Sequence, residues 1–467
     1  MAQLTTISIG ELGRHFQDDN GWMVLNGVVW DFSNFADKHP GGSDIIQQHL
    51  GKDGSEAYNE IHSSGMVLRY LGEERKVGVM MDQVEHDVSK KLTKNTANMP
   101  GLSSLTNLSQ FEQIAKYALS EKAWLYISSA TEDGISHAAN TVYHQRVMFR
   151  PRVLRGVGQV NISTSFLGQQ LSCPILIAPT SSIKLTHPDG EVAMARASQV
   201  SGVPPIIPSM GSYSVAEVVE SLEPSYPFFM QLYVHRDRTE TRRLLDDACR
   251  LGAKAIIVTV DLPVLSKRET LTSASLGGEG PRDESPVATQ QAPTPANTII
   301  DPDLNWQDIK WIRETTKLPV LIKGVQSAED AKQALAIGCA GIYLSNHGGR
   351  ALDTAPPATL VLLEIQKTCP EILKQMEVVV DGGFRRGSDV LKAICLGATV
   401  VCLGRPFLYA LAYGEKGVVL LKEELKTAMQ LLGVMNLKQA NLSYLNTSRL
   451  ERLLPSPVTN GAGISRL

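Results

Sequence analysis

Cysteine is scarce in this chain, with six residues in a sequence of 467. None belongs to a Cys-x-x-Cys pair, and all six lie between Cys173 and Cys402. Scattered thiols of this kind argue against a disulfide framework and against a zinc site. They fit buried cysteines in a reducing compartment.

The chain also lacks an excess of charge of one sign and long hydrophobic runs. Its formal net charge is −3 and it has no basic run, so we expect no nucleic-acid partner. No apolar stretch approaches the ~18 residues of a membrane span. Glu11 and Asp18 come early and no apolar signal core precedes them, so we expect neither a secretory nor a mitochondrial leader. A hydrophobic fraction of 43% is ample for a core, and the length suggests two or three domains.

The most informative motif is His39-Pro40-Gly41-Gly42, which His62 follows twenty-three residues after His39. Proline fixes φ and removes an amide donor, and glycine lets a flat ligand approach the backbone closely. Two histidines placed in this way can hold a haem iron from the two sides of the haem plane. The alternative is a pair of surface histidines beside an ordinary turn.

The surroundings of these histidines favour the haem interpretation. Two apolar segments, 22–25 and 28–32, flank Asn26-Gly27, which is a strong hairpin signal. Residues from about 7 to 78 resemble the cytochrome b5 family in this motif and hairpin. The resemblance implies an α+β domain over residues 5–80 that binds haem b through His39 and His62. Residues 81–105 are polar and predict a linker, and 273–297 predict a long loop.

The longer C-terminal part, residues 106–445, alternates apolar runs with amphipathic helical segments. This pattern predicts an α/β TIM (β/α)8 barrel, whose site lies at the carboxyl ends of the strands. The eight predicted strands are 174–178, 205–208, 228–233, 255–261, 319–323, 341–346, 377–381 and 400–404. Polar residues lie at or just after the carboxyl ends of these predicted strands, where barrel enzymes carry their active sites. They are Gln231, Tyr233, Thr259, Asp261, Lys323, Ser345, His347 and Asp381. The alternative is a set of polar strand ends without chemistry.

Glycine and arginine follow the last two predicted strands. Gly383 and Arg385 come after the seventh strand, and Gly404 and Arg405 come after the eighth. Glycine exposes backbone amides and arginine presents a forked donor, so these four residues predict the phosphate pocket that barrels often carry at this place.

The segment Ser345-Asn346-His347-Gly348-Gly349-Arg350-Ala351-Leu352-Asp353 resembles the active-site signature of the FMN-dependent 2-hydroxy acid dehydrogenase family. Together with the haem-type domain, the chain resembles the branch of that family that oxidises L-lactate and passes electrons through haem to cytochrome c. The resemblance implies FMN and haem b as cofactors, a small 2-hydroxy acid as substrate and a one-electron acceptor, with cytochrome c one option. It also implies a homotetramer.

The resemblance also implies a role for each matching residue. His347 is expected to be the base and Asp261 its carboxylate partner. Arg350 and Arg268 are expected to bind the substrate carboxylate, and Tyr126 and Tyr233 its carboxylate and hydroxyl. The expected cofactor contacts are Lys323, Gln231, Thr259, Ser345 and Asp381 around the flavin and Gly383, Arg385, Gly404 and Arg405 at its phosphate.

Several positions depart from the family pattern. Pro208 stands where a serine usually contacts the flavin, and Ser266 and Leu271 replace a glycine and an aspartate on either side of Arg268. Ile127 and Phe384 also differ from the usual residues. These departures leave open a bulkier 2-hydroxy acid as substrate. An oxidase that uses O2 directly and a non-enzymatic electron carrier with a degenerate barrel also remain open.

The last three residues of the tail, 446–467, are Ser465-Arg466-Leu467, which resemble the Ser-Lys-Leu peroxisomal signal. We therefore expect a cytoplasmic or peroxisomal protein, with a chance tripeptide as the alternative. Deletion of Leu467 from a fluorescently tagged chain is expected to release it from peroxisomes into the cytosol, because the import receptor reads the terminal residues. Imaging checks this, and a cytosolic pattern for the intact chain would contradict it.

Overall fold

The computed structural model describes residues 5–39, 41–81, 100–101, 104–269, 299–411 and 420–455. Four features of the sequence analysis lie wholly or largely outside these residues: Pro40, the predicted linker at 81–105, the loop at 273–297 with Leu271 before it, and the tripeptide Ser465-Arg466-Leu467. Within the described part, no helix is long and apolar enough to cross a bilayer.

The N-terminal domain is a five-stranded sheet with short helices packed on it. Its strands are β1 (Thr5–Ile7), β2 (Phe16–Gln17), β3 (Asn20–Leu25), β4 (Val28–Asp31) and β5 (Lys76–Met80), in the order β1-β5-β4-β3-β2. Its helices are α1 (Ile9–Leu12), α2 (Ser43–His49), α3 (Ser55–Ile61) and α4 (Met66–Leu71), with 3-10 turns at Ala36–Lys38 and Glu73–Arg75.

The hairpin predicted at Asn26-Gly27 is confirmed, because β3 and β4 pair antiparallel across these two residues. Both have positive φ, 53° at Asn26 and 78° at Gly27, as a type I′ turn requires. The hairpin presents Met23, Leu25 and Trp30 to an apolar core that α2 and α4 complete.

The C-terminal domain is an eight-stranded parallel sheet that curls into a barrel, so the predicted fold class is confirmed. All eight predicted strands form. They are β9 (Ile175–Ile177), β10 (Ile206–Pro208), β11 (Phe229–Leu232), β12 (Ile256–Thr259), β13 (Val320–Val325), β14 (Gly341–Leu344), β15 (Glu377–Val380) and β16 (Val400–Leu403).

Helices surround the barrel and precede it. Before it come α5 (Leu108–Ala118), α6 (Glu121–Ser128) and α7 (Ile135–Arg146). Around it run α8 (Gly190–Ser201), α9 (Val215–Glu220), α10 (Arg238–Leu251), α11 (Trp306–Thr315), α12 (Ala328–Ala336), α13 (Ala358–Thr368), α14 (Ile372–Gln375), α15 (Gly387–Leu396), α16 (Arg405–Leu411), α17 (Leu420–Leu432) and α18 (Ser448–Glu451). Shorter pairs are β6 (Met148–Phe149) with β17 (Leu445–Asn446) and β7 (Thr164–Phe166) with β8 (Gln169–Leu171).

The barrel closes at one weak seam. Seven neighbouring strand pairs form hydrogen-bonded ladders, from β10 round to β16 and β9. Between β9 and β10 the described contacts are an isolated bridge from Ile177 to Pro205 and a hydrogen bond from Ile177 N to Pro204 O, 3.0 Å long. The loops that follow these two strands therefore flank the seam.

One difference from the predicted strands occurs at β13. The apolar run predicts a strand that stops at Lys323, but β13 continues to Val325 through an irregularity in its register at Gly324. Gly324 has a φ of 107°, and a Cβ at this position would lie 2.6 Å from Asp261 Cβ. Glycine is therefore needed for the close approach of Asp261 to this strand.

The prediction of buried thiols is wrong for one of the six cysteines. Five are buried, but Cys249 is exposed on α10. This helix is strongly amphipathic, and Cys249 lies next to the buried Ala248 on the solvent side. All six cysteines are free, as expected.

Phe229 sits inside the barrel, fully buried, with its ring centre 5.1 Å from that of Phe166. Phe229→Ala is expected to lower the free energy of unfolding of the barrel by about 3–5 kcal/mol, because it leaves a cavity in a packed interior. Thermal or denaturant unfolding followed by circular dichroism measures this. Leu431→Ala, at a side chain that is 74% exposed, is the control and is expected to change little. Equal effects of the two substitutions would contradict the prediction.

Candidate active site and haem site

Polar side chains converge at the carboxyl-end rim of the barrel. Because all eight strands are parallel, their carboxyl ends meet at this one rim. Thr259 ends β12, Gln231 is the next-to-last residue of β11, and Lys323 lies within β13. Each of the three is at most 4% exposed. Ser345 and Asp381 directly follow β14 and β15 and are also buried. Burial of so many polar groups at one rim marks it as the site of chemistry or binding.

Asp261 lies between a histidine and a lysine. Its Oδ1 is 2.9 Å from His347 Nδ1, and its Oδ2 is 3.5 Å from Lys323 Nζ. The carboxylate is fully buried, which raises its pKa. The Lys323 ammonium and His347 outweigh that effect and bring the pKa to about 2. Asp261 is therefore ionised at neutral pH.

His347 is oriented by its neighbours. Burial lowers the pKa of its imidazole, and the charge of Asp261 acts against that effect. Since Nδ1 faces the carboxylate, Nδ1 carries the proton of the neutral ring and Nε2 keeps a free lone pair. The backbone of His347 has a φ of 58°, and its N–H donates to Ser345 Oγ at 3.0 Å. A non-glycine residue held in the left-handed region is typical of a functional site.

Tyr126 lies between two guanidinium groups. Arg350 Cζ is 5.2 Å and Arg268 Cζ is 5.7 Å from the centre of its ring. Burial and the nearby Arg268 lower the pKa of Arg350 to about 10, which leaves it charged at neutral pH. Two fixed cations beside a phenol form a suitable receptor for a carboxylate.

Tyr233 faces the same pocket. Burial and the charge of Asp261 raise its pKa well above the ordinary value, so its hydroxyl stays protonated and can donate. The structure therefore brings together all six predicted catalytic residues: His347, Asp261, Tyr126, Tyr233, Arg350 and Arg268. Their individual roles remain predictions.

The predicted flavin contacts include two hydrogen-bonded pairs at the same rim. Gln231 Nε2 donates to Thr259 Oγ1 at 3.0 Å, and Lys323 Nζ donates to Ser345 Oγ at 3.3 Å. In the described part of the chain, the buried atoms Asp381 Oδ1 and Thr180 Oγ1 have no protein partner. Buried polar atoms without partners call for a polar ligand, so this surface fits FMN.

Ser209 is a residue that the sequence analysis missed. It is buried one position after Pro208, its N–H donates to Gln231 Oε1 at 3.3 Å, and its Oγ accepts from Tyr233 N at 3.3 Å. A hydroxyl is therefore present at the end of β10, displaced by one residue from its usual place. The sequence signal that could have identified Ser209 is its position directly after Pro208, which stands where the family usually has a serine.

The predicted phosphate residues follow β15 and β16. Gly383 has a φ of 78° and packs against the backbone of Asn140, where a Cβ has no room. Arg385 makes a two-point ion pair with Glu112. Arg405 donates to the carbonyls of Ile127 and Ser129 at 3.0 Å each, and to that of Gly348. Both arginines thus contact protein acceptors here, and their binding of phosphate remains a prediction, as does that of Gly383 and Gly404.

A buried amide pair holds the loop that carries His347. Asn140 and Asn346 donate to each other at 2.9 and 3.0 Å, and Gly349 N donates to Asn346 Oδ1 at 3.1 Å. Asp353 accepts from the backbone of Ile135 and Ser136 at the start of α7. These residues tie α7 to the loop 345–353. The sequence analysis missed Asn140, since no local pattern links it to a residue 206 positions away.

The N-terminal domain brings the imidazole rings of His39 and His62 close together. Their ring centres are 5.9 Å apart and their planes are inclined by 74°. Imidazoles on opposite sides of one metal ion, with metal–nitrogen bonds of about 2 Å, place their centres roughly 6 Å apart. Burial lowers the pKa of His62 to about 4, so the ring is neutral, as a metal ligand must be. The spacing therefore fits haem iron.

Comparison with known families agrees with both sites. A model of FMN-dependent dehydrogenases matches residues 115–447, and a model of the cytochrome b5-like heme/steroid binding domain matches residues 8–81. The chain therefore belongs to the FMN-dependent dehydrogenase family and carries a cytochrome b5-like domain in front of the barrel. FMN and haem are the cofactors that these two domains imply.

The individual relatives include a dehydrogenase and an oxidase. L-lactate dehydrogenase (cytochrome) from Saccharomyces cerevisiae is 36% identical over 475 residues, which cover 95% of this chain and 80% of that protein. Glycolate oxidase 3 from Arabidopsis thaliana is 39% identical over 368 residues, which cover 73% of this chain and 96% of that protein.

Solved structures give the same picture. The recombinant flavin-binding domain of baker's yeast flavocytochrome b2 matches with a TM-score of 0.70 and 37% identity, over 79% of this chain and 95% of that one. Mandelate oxidase with (S)-2-phenylpropionate matches with a TM-score of 0.64 and 34% identity, over 73% of this chain and 98% of that one.

His62→Ala is expected to abolish the low-spin haem spectrum and leave bound flavin unchanged, because it removes one axial ligand and leaves the barrel intact. The absorption spectrum of the purified protein measures both cofactors. His15→Ala removes a histidine that stacks on Trp22 away from His62 and serves as the control. An unchanged haem spectrum in both the His62→Ala and the His39→Ala proteins would contradict the assignment.

Proposed function

We propose that this protein oxidises an L-2-hydroxy acid, with L-lactate as the first candidate, to the 2-oxo acid and delivers the electrons to a one-electron acceptor. One observation carries the proposal: a single chain holds a bis-histidine haem site and, at the barrel rim, a histidine–aspartate pair beside two arginines. When bound, FMN takes two electrons from the substrate and haem passes them on one at a time.

The residues at the rim account for substrate binding. Arg350 and Arg268 pair with the substrate carboxylate, and Tyr126 between them donates a hydrogen bond to it. Tyr233, kept protonated by its surroundings, donates to the substrate hydroxyl. These contacts hold the substrate with its reacting carbon next to His347, and positioning of this kind lowers the barrier of the reaction.

His347 then accepts a proton at Nε2. The imidazolium that results is stabilised by the ionised Asp261 at Nδ1, 2.9 Å away. Lys323, which is buried, keeps a positive charge in the part of the rim assigned to the flavin. The same residues serve removal of the α-proton and removal of the hydroxyl proton with hydride transfer, so the arrangement supports either route.

A direct oxidase is the second candidate function. The similarity to glycolate oxidases supports it, but that similarity covers 73% of this chain. The similarity to L-lactate dehydrogenase (cytochrome) covers 95%, including the N-terminal domain with His39 and His62. The haem site therefore favours an acceptor such as cytochrome c over O2.

Three further properties are part of the proposal. The departures at Pro208 and Phe384 support a test of bulkier 2-hydroxy acids beside lactate. The family resemblance supports a homotetramer. The tripeptide Ser465-Arg466-Leu467 supports a peroxisomal location, with the cytoplasm as the alternative.

Stopped-flow mixing of the oxidised holoenzyme with L-lactate tests the function. Flavin bleaching is expected first and haem reduction second, and His347→Gln is expected to slow the first phase by at least ~10²-fold, because the base is lost. A panel of bulkier 2-hydroxy acids identifies the preferred substrate. Haem that stays oxidised while flavin turns over with O2 would favour the oxidase, and a wild-type rate in His347→Gln would overturn the role of the base.

The pH dependence of flavin reduction tests the partner role of Asp261. His347 acts as a base only when neutral, so the rate falls as the pH drops through its pKa. Because the charge of Asp261 raises that pKa, Asp261→Asn is expected to move the acid limb of the profile to lower pH. The plateau rate is expected to fall by about 10²-fold or more.

Asp246→Asn, an exposed position on α10, is the matched control for this profile. It is expected to leave the limb and the plateau in place. A limb that moves to higher pH in Asp261→Asn would contradict the assignment of the acid limb to His347.

A further inference from the structure

The haem domain contacts the barrel through the segment that carries an iron ligand. The carbonyl oxygen of His62 accepts from Lys184 Nζ at 2.6 Å. The next residue, Ser63, donates from its N–H to Ser212 O and from its Oγ to Glu217 Oε1, both at 2.9 Å. The backbone of the iron ligand is therefore held directly by the barrel.

Two of the three barrel residues in these contacts lie on the loops that flank the seam, and the third, Glu217, lies on α9, which follows the second loop. Lys184 is in the 3-10 turn Ile183–Leu185, which follows β9. Ser212 is in the loop that follows β10, next to α9. The placement of the His62–Ser63 segment therefore depends on how these two loops are placed relative to each other. A separate ion pair, from Lys122 Nζ on α6 to Glu60 Oε2 at 2.6 Å, also joins the two domains.

One buried carboxyl group fixes both loops. Glu191, in the first turn of α8, is 3% exposed. Its Oε1 accepts from Ser212 N at 3.0 Å and from Ile183 N, the residue before Lys184, at 3.3 Å. Glu191 also lines, with Thr180, a small cavity beneath the ends of β9 and β10. This carboxyl lies behind the loops and does not touch the haem domain itself in the described contacts.

We propose that Glu191 is a positioning residue for electron transfer, which sets where His62 and Ser63 dock on the barrel and thus how far haem lies from FMN. The inference rests on the proposed function, because it requires electrons to pass from flavin to haem. It also predicts which step is sensitive: the transfer to haem, and not the oxidation of the substrate, because in the described contacts Glu191 hydrogen-bonds none of the six predicted catalytic residues.

Glutamine has nearly the same shape as glutamate and keeps an oxygen that can accept from both N–H groups, so Glu191→Gln is the conservative substitution. Glu191→Met fills the same space without an acceptor. In stopped-flow mixing of the holoenzyme with substrate, Glu191→Met is expected to slow haem reduction by about tenfold or more and to leave flavin reduction within about twofold of wild type. Glu191→Gln is expected to restore haem reduction.

Glu364→Met is the matched control. Glu364 is also a buried glutamate that accepts from a backbone N–H, that of Ala328 at 3.2 Å, but it lies on α13. It is expected to change neither phase. Glu191→Asp, which shortens the side chain by one methylene, is used if Glu191→Met does not fold and is expected to slow haem reduction by about threefold.

A double-variant cycle tests the route. Lys184→Met removes the direct contact with His62 and is expected to slow haem reduction. Adding Glu191→Met is expected to cause a smaller further loss than Glu191→Met causes alone, because the two variants share the contact at His62 and only Glu191 also holds Ser212. Unchanged haem reduction in Glu191→Met, a proportional loss of both phases, or the same defect in Glu364→Met would overturn the proposal. Failure of the proposed function would appear separately, in wild type itself, as absence of the flavin phase or as haem that stays oxidised while flavin turns over with O2.

Discussion

The fully buried carboxylate of Asp261 is the constraint around which the barrel rim is organised. An isolated charge inside a protein is costly, and a buried ion pair is tolerable only when its partners are well placed. Asp261 has both partners, since Lys323 and His347 approach its two oxygens. Its place between them joins the carboxyl ends of β12, β13 and β14.

This arrangement imposes requirements on residues that have no chemistry of their own. Gly324 must lack a side chain, because Asp261 occupies the space where its Cβ would be. The left-handed backbone of His347 requires the support of Ser345 Oγ. Ser266, unusual at its position, donates to the carbonyl of Arg350 at 2.6 Å and so helps to hold the carboxylate receptor. Departures from the family pattern are therefore compensated locally.

The sequence is sufficient to predict much of this architecture and part of the site. Strands such as β11 and β15 are short apolar runs closed by polar residues, and parallel order puts those residues at one rim. Pairs such as Arg385 with Glu112 or Asn140 with Asn346 are not predictable in this way, because they join residues more than 200 positions apart through packing alone. The exposure of Cys249 was missed because helical amphipathicity was not applied to that residue.

The seam between β9 and β10 has a consequence for how the two domains behave together. At this edge the barrel has little backbone pairing of its own, and the loops on either side are bridged by Glu191 from within and by His62 and Ser63 from outside. The haem domain thus connects the two loops across the seam. Coupling between two equilibria is reciprocal. Opening of the barrel between β9 and β10 therefore weakens the binding of the haem domain, and dissociation of the haem domain from the barrel makes that opening easier.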